Sequence, residues 1–137
     1  MLEGKRILVV DGDDAYLSIV TQALRQAGAK TTAVKTAEQA LMALQREDFD
    51  VLLTDLRLPQ MNGYEFCKAL EAVPRLASLP IVATSINPFI NSINIAICPN
   101  VADFLRKPFR NDELIDVIVR VLAGKPGVFR RLVKRRA

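Results

Sequence analysis

The stretch Ile7-Leu8-Val9-Val10-Asp11-Gly12-Asp13-Asp14 decides how the rest of the chain is read. Its first four residues are apolar without alternation, and three of them are β-branched. That is the pattern of a strand buried on both faces. The polar run Asp11–Asp14 stops the strand, and Leu17, Val20, Leu24 and Ala27 then recur at helical spacing up to Gly28. A strand followed at once by an amphipathic helix is half of a parallel crossover unit, and the chain repeats it. Thr31–Val34 reads as a second, weaker strand. Thr36-Ala37-Glu38-Gln39 reads as a capping box before the apolar stripe Ala40, Leu41 and Leu44. Val51–Thr54 is a third strand ending at Asp55, after which Asn62 can cap a helix carrying Phe66 and Leu70. Pro80–Thr84 is a fourth strand and Asp103–Arg106 a short fifth. Leu114, Val117, Ile118, Val121 and Leu122 mark a last amphipathic helix ending near Ala123. Residues 87–100 are ambiguous, with prolines, asparagines and Ile90, Ile93 and Ile97 at helical spacing.

Strand–helix alternation repeated in this way implies right-handed crossovers and a parallel sheet with helices on both faces. In such α/β sheets the functional crevice lies at the carboxyl ends of the strands.

The bulk numbers agree with one domain. The chain has 137 residues, half of them hydrophobic and a quarter charged, as in ordinary globular proteins. No apolar run approaches a membrane span, and the N-terminus lacks a signal-peptide pattern, so a cytoplasmic location is expected. There is no histidine, which excludes Ser/His and Cys/His nucleophile systems and the usual zinc sites. Cys67 and Cys98 form no CxxC pair and read as buried free thiols. Six of the 19 basic residues fall in 125–137, which contain no acid. Residues 1–124 are left with 13 basic and 15 acidic residues, a net charge of −2. The overall +4 therefore belongs to the tail.

Collecting the residues at strand carboxyl ends gives Asp11, with Asp13 and Asp14 in the loop, then Asp55, Thr84, Ser85 and Lys107. Carboxylates, a hydroxyl and a lysine around one crevice suit a divalent cation and a phosphoryl group. Oxygen ligands suit magnesium, a carboxylate can attack phosphorus, and an ammonium can hold phosphoryl oxygens.

Three segments, Ile7–Asp11, Thr54-Asp55-Leu56-Arg57-Leu58-Pro59-Gln60-Met61-Asn62-Gly63 and Phe104-Leu105-Arg106-Lys107-Pro108-Phe109, resemble the hallmark blocks of response regulator receiver domains of two-component signalling. The similarity covers roughly residues 4–124. It implies a flavodoxin-like, doubly wound five-stranded parallel sheet of order 2-1-3-4-5. The implied domain is 1–124, with 125–137 a basic tail or the start of a linker. The resemblance further implies Asp55 as phosphoacceptor and Asp11 as an organiser of Mg2+, with Asp55 and the backbone carbonyl of Arg57 as further ligands. Ser85 resembles the switch hydroxyl and Phe104 the switch aromatic. Lys107 resembles the lysine that pairs with the phosphoryl oxygens, and Pro108 would follow a cis bond.

Two positions depart from the family. Gly12 stands where a second acid is usual, so Mg2+ binding is expected to be weak. Asp13 is next in line as a ligand, against its reading as a helix cap. Ile86 follows Ser85 where a small residue is usual, and its bulk is expected to narrow the entrance.

The implied function is a phosphoacceptor in a phosphorelay, not an enzyme with separate turnover. A histidine kinase or histidine phosphotransfer protein would be the donor. A downstream partner would bind through the face of the fourth helix, fifth strand and last helix. The alternative is a pseudo-receiver, an interaction module that works without phosphorylation. The uncharged, isoleucine-rich stretch 86–101 suggests a homodimer or partner interface over residues 88–106. The tail places Val128, Phe129, Leu132 and Val133 on one face with basic residues opposite. A solubilising or linker role is expected of it, rather than nucleic-acid or membrane contact.

Overall fold

The computed structural model describes residues 1–86 and 98–125. Five strands, β1 (Arg6–Val10), β2 (Lys30–Val34), β3 (Val51–Asp55), β4 (Ile81–Ser85) and β5 (Val101–Arg106), form one sheet of order β2-β1-β3-β4-β5. All four pairings are parallel. The helices are α1 (Asp14–Gln26), α2 (Ala37–Arg46), α3 (Gly63–Glu71) and α4 (Asn111–Leu122).

The continuous apolar strands are explained by two cores, one on each face of the sheet. Leu8, Val10, Leu52, Ile81 and Ala83 point to the face covered by α2 and α3, where they meet Ala40, Leu44, Phe66 and Leu70. Ile7, Val9, Val51, Leu53 and Val82 point to the other face and pack with Val20 and Leu24 of α1 and Leu114 and Ile118 of α4. Alternate residues of one strand thus enter opposite cores, which is why the central runs are apolar without alternation. β3 and β4 are buried at every residue.

The helix starts follow their caps. Thr36 Oγ1 accepts from Gln39 N–H, and the Gln39 side chain accepts from Lys35 N–H. Asn62 Oδ1 accepts from Glu65 N–H. α1 ends in a turn that places Gly28 at φ 100°. A Cβ there would also come within 3.2 Å of Glu3 backbone, so both the dihedral and the space call for glycine.

β5 is longer than the sequence suggests, because Val101 already pairs with Ile81. The register then shifts, with Val82 opposite Asp103, so Ala102 is an extra residue on β5. The isoleucines at 90, 93, 95 and 97, the fourth helix expected from them, and residues 126–137 lie outside the described residues. No described helix is long and apolar enough to cross a membrane.

Candidate functional site

The sheet order puts β1 and β3 side by side at its centre, so residues just past their carboxyl ends are neighbours. Asp11 follows β1, and its N–H donates to Val34 O. Asp55 closes β3 opposite Thr84, and the next amide, Leu56 N–H, donates to Thr84 O at 2.9 Å. Lys107 follows β5, and its N–H donates to Ser85 O at 2.8 Å. Each residue is thus held by a ladder bond that extends the sheet by one step, and its side chain is delivered to the crevice.

Three of these side chains meet. Lys107 Nζ donates to Asp11 Oδ2 at 2.6 Å and to Asp55 Oδ2 at 2.8 Å. All three residues are buried: Lys107 is 4%, Asp11 5% and Asp55 9% exposed. The remaining oxygens are held by backbone. Asp11 Oδ1 accepts from Asp13 N–H and Asp55 Oδ1 from Arg57 N–H, both at 2.9 Å. One ammonium stands between two carboxylates, so the cluster has a net negative charge. Burial lifts the Asp11 carboxyl above its usual range, against the opposing pull of Lys107. Burial works against the Lys107 ammonium, but its hydrogen bonds to Asp11 and Asp55 outweigh that and raise its pKa above the usual lysine value.

Ser85 is the last residue of β4 and is buried. Phe104, on β5, is half-buried against the core under α2 and α3. The Lys107–Pro108 bond is cis. Asp13 is the cap of α1: its Oδ1 accepts from Ala15 N–H at 2.8 Å and Tyr16 N–H at 3.1 Å. It does not join Asp11 and Asp55, for among the described residues no three His, Cys, Asp or Glu form a group that could hold a metal. Ile86 directs its side chain largely to solvent, at 65% exposed.

Both cysteines are buried, and neither is in a disulfide. Burial, reinforced by Cys98 and Glu71, pushes the Cys67 thiol up to about 12, so it stays protonated and is no nucleophile.

The residue that reading the sequence missed is Tyr16, in the first turn of α1. The Lys107 ammonium lies 4.3 Å from its ring centroid, and the ring packs against Phe109 at 5.7 Å between centroids. Nothing in the local pattern distinguishes this tyrosine from an ordinary amphipathic-helix residue.

A doubly wound parallel sheet with two acids and a lysine converging at the carboxyl ends of its strands defines a domain of the flavodoxin-like class. Within that class the chain belongs to the response regulator receiver domain family, whose model matches residues 7–119. It is 33% identical over 118 residues to the sensor protein GacS of Pseudomonas syringae pv. syringae, an alignment that covers 84% of this chain and 13% of that protein. It is 32% identical over 126 residues to the two-component response regulator ORR22 of Oryza sativa subsp. indica, covering 90% of this chain and 18% of that protein. The chain therefore spans less than a fifth of the length of these two relatives. Among solved structures it is similar to the receiver domain of sensor histidine kinase PA1611 from Pseudomonas aeruginosa PAO1. There the TM-score is 0.81 at 28% identity, with 88% of this chain and 98% of that one covered. That crystal structure holds a magnesium ion coordinated in its active site cleft.

Proposed function

We propose that this domain accepts a phosphoryl group on Asp55 from a phosphohistidine of a kinase or phosphotransfer protein. The observation that carries the reading is the single ammonium of Lys107, buried and shared by Asp11 and Asp55. It places a fixed positive charge beside the oxygen that would attack phosphorus. In the transfer, an Asp55 carboxylate oxygen forms the new O–P bond as the P–N bond to the donor imidazole breaks, and the imidazole keeps the electron pair. Lys107 then balances the phosphoryl charge in place of the carboxylate charge it balances now. Ser85 and Phe104 are the residues we assign to the ensuing switch, read by a partner on the face that includes β5 and α4. The setting we infer is the cytoplasm, where such donors act.

The donor set fits a hard divalent cation. Two buried carboxylates within reach of one nitrogen supply two oxygen ligands, and magnesium ordinarily keeps several of its waters. Asp11, Asp55 and the Arg57 carbonyl would hold it, and it would offset charge on the phosphoryl oxygens. With Gly12 in place of a further acid, this hold is weak.

The same glycine favours a second reading, an interaction module of identical fold with no phosphoryl chemistry. Intact-mass measurement after incubation with acetyl phosphate and magnesium separates the two. Under the first reading the wild type gains one phosphate and Asp55→Asn none. An unmodified wild type overturns it in favour of the second, and equal uptake by the variant overturns Asp55 as the acceptor.

A further inference from the structure

We propose that Tyr16 is a positioning residue whose ring holds the Lys107 ammonium on the Asp11–Asp55 pair, and so sets how readily the site admits a divalent cation. The cation-site half of this rests on the function proposed above.

The case begins with a closed circuit of contacts. Asp11 Oδ1 accepts from Asp13 N–H. Asp13 Oδ1 accepts from Tyr16 N–H. The Tyr16 ring stands 4.3 Å from Lys107 Nζ, and Lys107 Nζ returns to Asp11 Oδ2 at 2.6 Å. The ring also packs against Phe109, tilted at 48°, two residues beyond Lys107 in the chain. Tyr16 is thus tied to the cap of α1 through its backbone N–H and to the segment that carries Lys107 through its ring.

The ring face is the negative end of the aromatic quadrupole, and a partly desolvated ammonium over it is attracted appreciably. That attraction adds to the two carboxylates and acts only on the lysine. A divalent cation bound between Asp11 and Asp55 competes with the Lys107 ammonium for the negative charge of the same two carboxylates, so whatever retains the lysine opposes the cation. Gly12 sharpens the competition, since no further carboxylate is present at that position to favour the cation. Tyr16 is therefore a tuning element: it steadies Lys107 over the acceptor and raises the magnesium concentration the site requires.

Two measurements test this, and neither depends on phosphoryl transfer. The first is the NMR signal of the Lys107 ε-methylene protons, assigned with Lys107→Arg. An aromatic ring at this distance shifts them upfield in the wild type and in Tyr16→Phe, whereas Tyr16→Leu returns them to the ordinary lysine position. The second is titration with magnesium chloride alone, followed by the same spectra. Tyr16→Leu should bind magnesium more tightly by about three- to tenfold, the size of an ammonium–aromatic contact in a partly buried site, with Tyr16→Phe close to wild type. Tyr16→Met serves if the leucine variant loses its α1 amide signals. An unshifted Lys107 in the wild type overturns the proposal. So does wild-type magnesium affinity in the leucine or methionine variant, or the absence of magnesium binding in every form. Failure of Asp55 to take up phosphate would leave both readouts in place.

Discussion

Lys107 and Asp55 are 52 positions apart in the chain, yet Lys107 Nζ lies 2.8 Å from Asp55 Oδ2 while the same nitrogen reaches Asp11 at 2.6 Å. A cation shared by two buried acids ties the ends of β1, β3 and β5 together, and its properties set what the site does.

Replacing Lys107 with methionine removes the cation and leaves two buried carboxylates facing one another. Breaking a buried pair in this way costs on the order of 3 kcal/mol at neutral pH. The pH dependence has a definite sign. The folded-state pKa of Lys107 is raised above the ordinary 10.5, so its contribution is complete below that value and is lost as pH rises through the higher folded value. Thermal melts should show the gap between wild type and Lys107→Met holding from neutral pH to the ordinary lysine value and closing above it. A gap that closes well below that value would mean the lysine is not held as described.

Restoring an acid at position 12 should tighten magnesium binding severalfold, because it adds a hard oxygen ligand beside Asp11. The structure accommodates it: a Cβ on Gly12 meets Pro59 Cδ at 3.6 Å and the Lys35 carbonyl at 3.9 Å, ordinary contacts. Calorimetric titration of Gly12→Asp against wild type checks this, and equal affinities would show that another group already fills the role.

Gly63 is a different case. A Cβ there would fall 2.6 Å from Leu56 Cδ2 and 2.8 Å from Leu56 Cα, and Gly63 N–H is bonded to Leu56 O. The leucine side chain can turn away but its Cα cannot, and Leu56 directly follows Asp55. Gly63→Ala should cost about 1–3 kcal/mol in urea unfolding, the range for overpacking. It should also lower phosphate uptake by disturbing the backbone beside Asp55, the proposed acceptor. A variant as stable as wild type would show that α3 shifts without strain.

Deleting 126–137 should leave the melting midpoint nearly unchanged. The buried residues of α4 end at Val121, and the helix is already closed by Ala123 N–H donating to Val119 O. A loss of several kcal/mol in the truncated protein would mean that Phe129 and Leu132 are buried on the domain.

Much of this was legible in the residues because it depends on local chemistry. Unbroken apolar runs such as Val51–Leu53 can be satisfied only between two helical layers, and the structure puts a core on each side of them. Thr36, Asn62 and Asp13 read as caps because their short polar side chains reach the free amides of a helix start, and all three do so here. The early start of β5 at Val101 was less visible, since the extra residue at Ala102 breaks the strand pattern just where the register shifts.

By itself the sequence determined the alternation of strands and helices, the two-sided burial of the sheet, and the acids and lysine that stand at strand ends, because periodicity and residue type act over a few residues. Only the tertiary structure decided which of those groups meet. The ammonium of Lys107 takes both Asp11 and Asp55, Asp13 is spent on α1, and the ring of Tyr16 lies against the lysine. The distances between those groups are set by strand order and ladder register, which bring together residues up to 96 positions apart, and no local pattern encodes them.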